Sequence, residues 1–300
     1  MTIATPTAPP VAQQPAPATR VRPAHVRVSF AQAVYIIWYR DLVRFVRDRA
    51  RLVGSLAQPL LFLVVFGVGL SSALGGGSGV LPPGFTYLQF MFPGVVGMTV
   101  LMTSIFSAMS IVWDREFGFL REILVAPIDR SAVAVGKALG GATQAMIGGI
   151  IMLVFAPLVG VKLTVLGVAE LIPLLFLLAF ALTAFGIAIA SRMKSMQGFQ
   201  VIMNFLMMPM LFLSGALFPL RGLPTWMTVI TRINPVTYAI SPVRVAIFSN
   251  AGVPQSVLDR IGAEVTIGNY TLPLMLDVAV VAVVGAAVLG FAIQALRRRD

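Results

Sequence analysis

Several residue types that carry chemistry are rare or missing in this chain. It has no cysteine, which excludes disulfides, thiolate metal sites and cysteine nucleophiles. Its single histidine, His25, lies in a proline-rich stretch, so a serine–histidine dyad and an HExxH zinc site are excluded. None of its three lysines completes the P-loop pattern GxxxxGK[ST]. We therefore expect no catalytic residue, no metal site, no bound cofactor and no ATPase site of the P-loop kind.

Charge is also scarce, because only 11% of the residues are Asp, Glu, Lys or Arg while 58% are hydrophobic. No charged residue lies between Arg51 and Asp114, and those 62 residues allow two membrane crossings of about 20 residues each. The sequence predicts an all-α integral membrane protein with six transmembrane helices. The predicted spans are 56–73, 88–113, 135–158, 166–190, 199–217 and 272–296.

The positions of the basic residues predict the orientation of the chain. With the N-terminus inside, seventeen Lys and Arg residues fall on the inner side and five on the outer side. Residues 1–27, with six prolines, are expected to form a disordered cytoplasmic tail, and residues 55–300 the transmembrane domain, with both termini cytoplasmic. The net charge of +11 comes from arginines that flank apolar spans, which favours contact with the lipid bilayer over nucleic acid.

Residues 28–54 form a predicted amphipathic helix lying in the membrane surface ahead of the first span. Trp38 belongs to its apolar face, and the opposite face repeats arginine at steps of four, three and four: Arg40, Arg44, Arg47 and Arg51. The alternative is a solvated basic face that only anchors the first span.

The stretch WDREFGFLREILVAP, residues 113–127, concentrates charge in an otherwise oily sequence. Helical spacing places Trp113 and Phe117 on one face and Arg115, Phe119 and Glu122 on the other. Such a helix can rest on the membrane-embedded body and offer an aromatic flanked by charges to a partner. An ordinary solvated turn is the alternative.

Residues 219–250 contain two short apolar helices, each opened by proline, that are too short and too broken to span. They are predicted to be re-entrant or interfacial helices in the outer loop before the last span, and an ordinary external loop is the alternative. Their marker residues are Pro224, Trp226, Asn234, Pro235 and Tyr238, with Asn234 as the N-cap of the second helix.

The segments WDREFGFLREILVAPIDRSAVAVGKALGG and MMPMLFLSGALFPLRGLPTWMTVITRINPVTYAISPVRVAIF resemble the membrane subunit of type-2 ATP-binding-cassette (ABC) exporters, most closely the daunorubicin-resistance-type permeases. The resemblance implies a surface connecting helix, six spans, two paired permease subunits and two separate ATPase subunits that bind ATP and Mg. It makes residues 113–127 a coupling helix. The ATPase contacts it implies are Arg115, Glu116, Phe117, Phe119, Leu120, Arg121 and Glu122.

In that family spans 2 and 5 flank the transport path, and flexible methionines suit a path that accepts several apolar shapes. The candidate path residues are Met98, Met102, Phe106, Asn204, Met207 and Met208. A lipid-facing or core-filling methionine cluster is the alternative.

The resemblance implies a permease in a bacterial cytoplasmic (inner) membrane that exports lipophilic or amphipathic compounds, such as drugs, antibiotics or lipids, with energy from the ATPase. Export of a polysaccharide or glycolipid by the same mechanism, an ion-coupled carrier acting alone, and a membrane scaffold or immunity protein without transport remain open. A homodimer and a heterodimer with a sister permease are both compatible with the sequence.

Overall fold

The structure, a computed structural model, describes residues 29–74, 85–117, 129–220, 222–262, 264, 266–267, 270–271 and 273–297. The predicted N-terminal tail lies outside these residues. The described residues are mainly helical, which confirms the predicted fold class. Its helices are α1 Phe30–Arg47, α2 Arg49–Leu74, α3 Tyr87–Glu116, α4 Arg130–Val154, α5 Val165–Ala190, α6 Met196–Phe212, α7 Thr225–Ile233, α8 Pro235–Asn250, α9 Gln255–Ile261 and α10 Leu274–Arg297.

Five of the described helices are long and apolar enough to cross a membrane, namely α2, α3, α4, α5 and α10. The predicted fifth span corresponds to α6, which is apolar but has only 17 residues. At 1.5 Å per residue it is about 25 Å long, a little less than the hydrocarbon core of a bilayer. The helix ends at Phe212, three residues after Pro209 and five before the predicted end, and Leu213 is its C-cap. The count of six spans is therefore approximate.

Helix α3 is the centre of the bundle. It packs against α2, α4, α5, α6 and α8, and 83% of its most apolar stretch is buried. Gly94 allows the closest approach, because a Cβ there would lie within 3 Å of the backbone of Ala216. The two outermost spans are α2 and α10, whose corresponding stretches are only 17% and 28% buried. Both helices therefore expose many apolar side chains, among them Leu61, Val65, Met275 and Val283.

The predicted surface helix is shorter than expected, because the helix ends at Arg47 rather than at residue 54. Asp48 leaves helical geometry, with φ −87° and ψ 76°, and its Oδ1 accepts a hydrogen bond from the backbone N–H of Arg51. Asp48 thus separates α1 from α2, and Arg51 belongs to the first turn of α2. The buried face of α1 also differs from the prediction, since it comprises Ala33, Ile37, Asp41 and Phe45.

Helix α1 packs along α4, and small residues make the contact close. A Cβ on Gly136 would lie 2.9 Å from Cβ of Ile37, and one on Gly140 would lie 3.3 Å from Cβ of Asp41. Helix α4 begins at Arg130, with Asp129 as its N-cap, and ends at Val154. A 3₁₀ turn, Ala156–Val159, follows it, so the predicted third span is helical but changes helix type near its end.

The predicted external segment forms two helices separated by Asn234, as expected. The Asn234 side chain accepts a hydrogen bond from Val236 N–H, which confirms the predicted N-cap. Helix α8 packs against α3, α5 and α10, so it is part of the bundle. It is followed by α9 and by a two-stranded antiparallel ribbon of β1, Thr266–Ile267, and β2, Tyr270–Thr271.

Candidate functional site: a charged cluster beside an apolar cavity

Two acids and two bases meet where α3 ends and α4 begins, which we call the α3–α4 end of the bundle. Lys137 Nζ lies 2.8 Å from Asp114 Oδ2 and 3.2 Å from Asp41 Oδ2. Arg40 Nη2 lies 3.1 Å from Asp41 Oδ1 and 3.5 Å from Asp114 Oδ2. Arg40 and Asp41 belong to α1, Asp114 to α3 and Lys137 to α4. This four-charge cluster therefore joins three helices.

Neutral groups complete the polar contacts around the four-charge cluster. Ser110 Oγ lies 3.0 Å from Lys137 Nζ and accepts its hydrogen bond. Gln144 Nε2 donates to the backbone carbonyl of Asp41 at 3.1 Å, and Trp38 Nε1 donates to Thr143 Oγ1 at 3.0 Å. The last two bonds both join α1 to α4. Trp38, which was predicted to lie on the apolar face of the surface helix, thus joins α1 to α4 through a hydrogen bond.

Burial makes the four-charge cluster a strong positional constraint. The Lys137 side chain is 3% exposed, and those of Asp41 and Asp114 are 8% and 7% exposed. The four charges sum to zero, so the cluster is balanced only while all three helices keep their places. Removing one partner of a buried ion pair leaves a buried charge uncompensated, which costs about 3–5 kcal/mol. The cluster therefore fixes α1 to both helices that flank residues 117–129.

Arg115 and Glu116, two of the predicted ATPase contacts, bind the connection between α5 and α6. Arg115 Nη1 donates to the carbonyl oxygens of Ser191 at 3.0 Å and Met193 at 2.7 Å. Glu116 Oε2 accepts the backbone N–H of Met196 at 2.9 Å, in the first turn of α6. These bonds give both side chains a role within the chain. Their contact with an ATPase stays a prediction.

The rest of the predicted coupling helix is described only in part. Trp113 to Glu116 continue α3, and the Phe117 ring lies edge-on to Trp113, with ring centres 5.7 Å apart. Phe117 is 65% exposed, so it does not rest on the bundle as the helical pattern predicted. Phe119, Leu120, Arg121 and Glu122 lie outside the described residues.

A cavity of about 700 Å³ lies beside the four-charge cluster, between α1, α2, α3, α4 and α6. Its wall combines apolar, neutral polar and charged side chains. The apolar ones are Phe45, Ala50, Met102, Phe106, Met109, Trp113 and Met196. The neutral polar ones are Ser55, Gln58, Thr103, Ser107, Ser110 and Gln144. The charged ones are Asp41, Arg44, Asp48 and Arg51. A volume of this size is typical of small-molecule sites.

The structure does not bring the six predicted path residues together. Met102 and Phe106 line the cavity, whereas Met98 and Met207 are buried in helix packing. Asn204 and Met208 lie on an exposed face of α6. Sequence spacing could not distinguish these residues, because the packing of α3 and α6 against other helices decides which side chains face the cavity.

The predicted arginines of the surface helix also have different surroundings. Arg40 belongs to the four-charge cluster, and the Arg44 guanidinium lies 5.1 Å from the centre of the Trp113 ring. Arg47 is exposed, and Arg51 lines the cavity from α2. Only part of the predicted basic face is therefore a free surface.

The predicted residues of the external segment lie at the other end of the bundle. Asn234 Nδ2 donates to Met210 O at 2.7 Å, and Tyr238 Oη donates to Arg232 O at 2.8 Å, whereas Trp226 is exposed. Pro224 precedes α7 and Pro235 opens α8. Arg244, which the sequence offered only as an outer charge, is buried, donates to Gly215 O and faces the Phe90 ring.

Sequence reasoning missed Asp41 and Lys137 and gave Asp114 no role. A signal was present in α1, because Asp41 follows Ala33 and Ile37 and precedes Phe45 at steps of four. An acid on the buried stripe of a helix requires a cationic partner on the helix that covers it. Lys137 is one of only three lysines and falls inside the third apolar segment, so it was the partner to look for.

Comparison with known proteins agrees with this architecture. Residues 32–248 match the ABC-2 type transporter family. The ycf38 protein of Cyanophora paradoxa, a transport permease by its name, is 31% identical over 72% of this chain and 74% of its own length. The inner membrane transport permease YadH of Escherichia coli K12 is 27% identical over 74% of this chain and 85% of its own length.

A third relative has a different kind of name. Nodulation protein J of Rhizobium meliloti is 28% identical over 69% of this chain and 78% of its own length. The family match spans α1 to α8, and so includes the four-charge cluster, the cavity and both segments with the predicted marker residues. On this match the chain is a multi-pass membrane protein and belongs to the ABC-2 type transporter family, as a transport permease that works with an ABC ATPase.

Proposed function

We propose that this chain is the membrane subunit of an exporter that moves amphipathic or lipophilic compounds out across the cytoplasmic membrane of a bacterium. Two ATPase subunits, which bind ATP and Mg, supply the energy, and this chain binds no cofactor. The observation that carries the proposal is the α3–α4 end of the bundle. There the helices on both sides of residues 117–129 are fixed to α1 and to the α5–α6 connection.

This arrangement supports a mechanical role for the stretch between α3 and α4. A push on that stretch moves the end of α3 and the start of α4, and buried ion pairs carry the displacement to α1 because a packed interior deforms little. Met102 and Phe106 belong to α3 and line the cavity, so the same displacement changes the cavity's shape. The seventeen-to-five charge distribution supports a cytoplasmic position for this end and for both termini.

An amphipathic substrate class is supported by the cavity wall. Seven apolar and six neutral polar side chains line it, together with charged groups from α1, α2 and the residue between them. Such a wall suits a molecule with an apolar body and a polar end better than a free sugar or a bare ion.

The pairing of two permease copies is supported by the outer face of α6. Val201, Phe205, Met208 and Phe212 are exposed along one side of this helix. Asn204 lies on that side too, and a polar side chain on an apolar helix is often used in contact between helices. We propose a homodimer with this face at its interface.

The energy source is the decisive test of the function. Inverted membrane vesicles carrying the chain and its ATPase are supplied with an amphipathic fluorescent dye, with ATP or without ATP but with an ion gradient imposed. We expect ATP-dependent uptake of dye that survives ionophores, and none in vesicles that lack the ATPase. Uptake driven by the ion gradient alone would show an independent carrier. Normal complex formation without uptake would favour a scaffold.

A further inference from the structure

An unpaired guanidinium nitrogen distinguishes one wall of the cavity. Arg51 Nη2 is buried and has no hydrogen-bond partner among the residues that the structure describes. A charged donor that is buried without a partner is unfavourable, because it has lost water and gained nothing in return. Arg51 lines the cavity, so a rotation of its guanidinium toward the cavity would give this nitrogen a partner on a bound group.

The charges around the cavity favour an anion. Arg44, Arg51 and Asp48 belong to the wall, and Asp41 is held by Lys137 and Arg40 in the four-charge cluster. Counting that cluster, four cations face three anions, so the surroundings carry one net positive charge. Arg51 also lies in the first turn of α2, where the helix dipole attracts negative charge. Guanidinium groups bind phosphate and carboxylate oxygens in a fixed fork geometry.

A second unpaired group specifies a donor on the same ligand. Gln144 is 3% exposed and lines the cavity, and its Nε2 donates to Asp41 O. That bond fixes the orientation of the amide and leaves Oε1 as an acceptor with no partner in the described part of the chain. A hydroxyl or other donor on the ligand would satisfy it.

The part of the cavity wall that α3 forms suits the apolar tail of a ligand. Met102, Phe106 and Met109 lie on successive turns of α3, and two of the three are flexible thioethers that adapt to apolar shapes of different width. Phe106 is 39% exposed, although most of α3 around it is buried, so the apolar wall reaches the surface of the chain. A ligand with an anionic end matches Arg51, a donor beside that end matches Gln144, and an apolar tail matches this part of the wall.

We infer that this cavity binds an amphiphile with an anionic head, phosphate or carboxylate, held by Arg51, and an apolar tail along α3. The inference rests on the proposed function and specifies its substrate class. A free inorganic anion shares the head chemistry, whereas a neutral amphiphile shares only the tail.

The test uses the complete complex of permease and ATPase in nanodiscs made of zwitterionic lipid. Energy transfer from tryptophan, including Trp113 in the cavity wall, reports binding of pyrene-labelled phosphatidic acid. Pyrene-labelled diacylglycerol with the same chains lacks only the phosphate. We expect the wild type to bind phosphatidic acid at least about tenfold more tightly, the effect of one charge-assisted hydrogen bond. Equal binding of the two probes would overturn the inference without any mutation.

Variants then assign the preference to Arg51. Arg51→Gln should abolish the preference for phosphatidic acid, and Arg51→Lys should retain part of it, because lysine keeps the charge but not the fork. Lys162→Gln removes an exposed cation outside the cavity and should leave the preference unchanged. A preference that survives Arg51→Gln would contradict the assignment.

Competition by inorganic phosphate distinguishes the two sources of the anion. We expect no displacement of the probe at millimolar phosphate, because phosphate lacks the tail, and displacement there would overturn an amphiphile site in favour of a free-anion site. Failure of these binding tests while ATP-driven export continues would refute the substrate class alone. Absence of ATP-driven export with the preference intact would refute the proposed function alone.

Discussion

At the scale of single residues, Lys137 has the most demanding position in the chain. It is almost fully buried, and it is the only side chain that lies within 3.2 Å of both cluster carboxylates in the described structure. Arg40 approaches the same two acids from the surface, with 45% of its side chain exposed. Solvent screens the exposed pair more than the buried one. Most of the electrostatic stabilisation of the four-charge cluster therefore depends on Lys137.

Lys137→Met should destabilise the folded chain strongly. The substitution keeps an apolar stem of similar length but leaves Asp41 and Asp114 buried with Arg40 as their remaining cation, so the expected loss is about 3–5 kcal/mol. Thermal unfolding of the purified protein in detergent measures it. Lys162→Met, at an exposed position, is the matched control and should change stability by less than about 0.5 kcal/mol. Equal unfolding temperatures for the two variants would contradict the role of the cluster.

At the scale of helices, the contact between α1 and α4 fixes the surface helix to the bundle. Three kinds of contact coincide there: ion pairs to Lys137, hydrogen bonds to Thr143 and Gln144, and close backbone approach at Gly136. A surface helix that contacted only lipid headgroups would need none of these three contacts. Helix α1 is thus a fixed part of the bundle on one side and presents exposed Tyr35, Ile36 and Tyr39 on the other.

Gly136→Ala tests the closeness of this contact. A Cβ at Gly136 would lie 2.9 Å from Ile37 Cβ, so α1 must shift away from α4 at a cost of about 1–3 kcal/mol. We expect lower stability and weaker stimulation of the partner's ATP hydrolysis. Gly290→Ala is the control, since a Cβ there has no neighbour within 4 Å and helix propensity alone should stabilise α10 by up to about 1 kcal/mol. Indistinguishable effects of the two changes would refute the close contact.

The sequence predicted the elements that depend on composition and local signals. Charge-free runs of about 20 residues located α2 to α5 and α10, and Pro235 after Asn234 located the start of α8. It did not predict the end of α1, because Asp48 stops the helix inside a run of arginines whose spacing stays helical. The cavity was also beyond prediction, since it depends on how five helices pack. Only Met102 and Phe106 of the predicted path residues line it.

At the scale of the whole molecule, the proposed homodimer would form through the exposed apolar face of α6. The chain has no cysteine, so a single introduced one reports a contact without background. Phe205→Cys, at a position 78% exposed, should give a disulfide-linked dimer in membranes, because a residue close to the two-fold axis faces its own counterpart and Phe205 lies in the middle of the exposed face. Val283→Cys on α10 is an equally apolar and exposed control that should not cross-link. Cross-linking at 283 but not at 205 would place the interface elsewhere.

We propose that energy passes from the ATPase to the permease through the α3–α4 end of the bundle. The stimulation of ATP hydrolysis in the permease–ATPase complex measures this coupling directly. Phe119→Ala and Glu122→Arg alter residues between α3 and α4 that helical spacing predicts to face away from the bundle. Lys162→Ala, at the other end of the bundle, is the control. We expect both variants to insert into the membrane normally but to lose ATPase stimulation and export, while the control keeps both. Full stimulation and full export in Phe119→Ala and Glu122→Arg would contradict it.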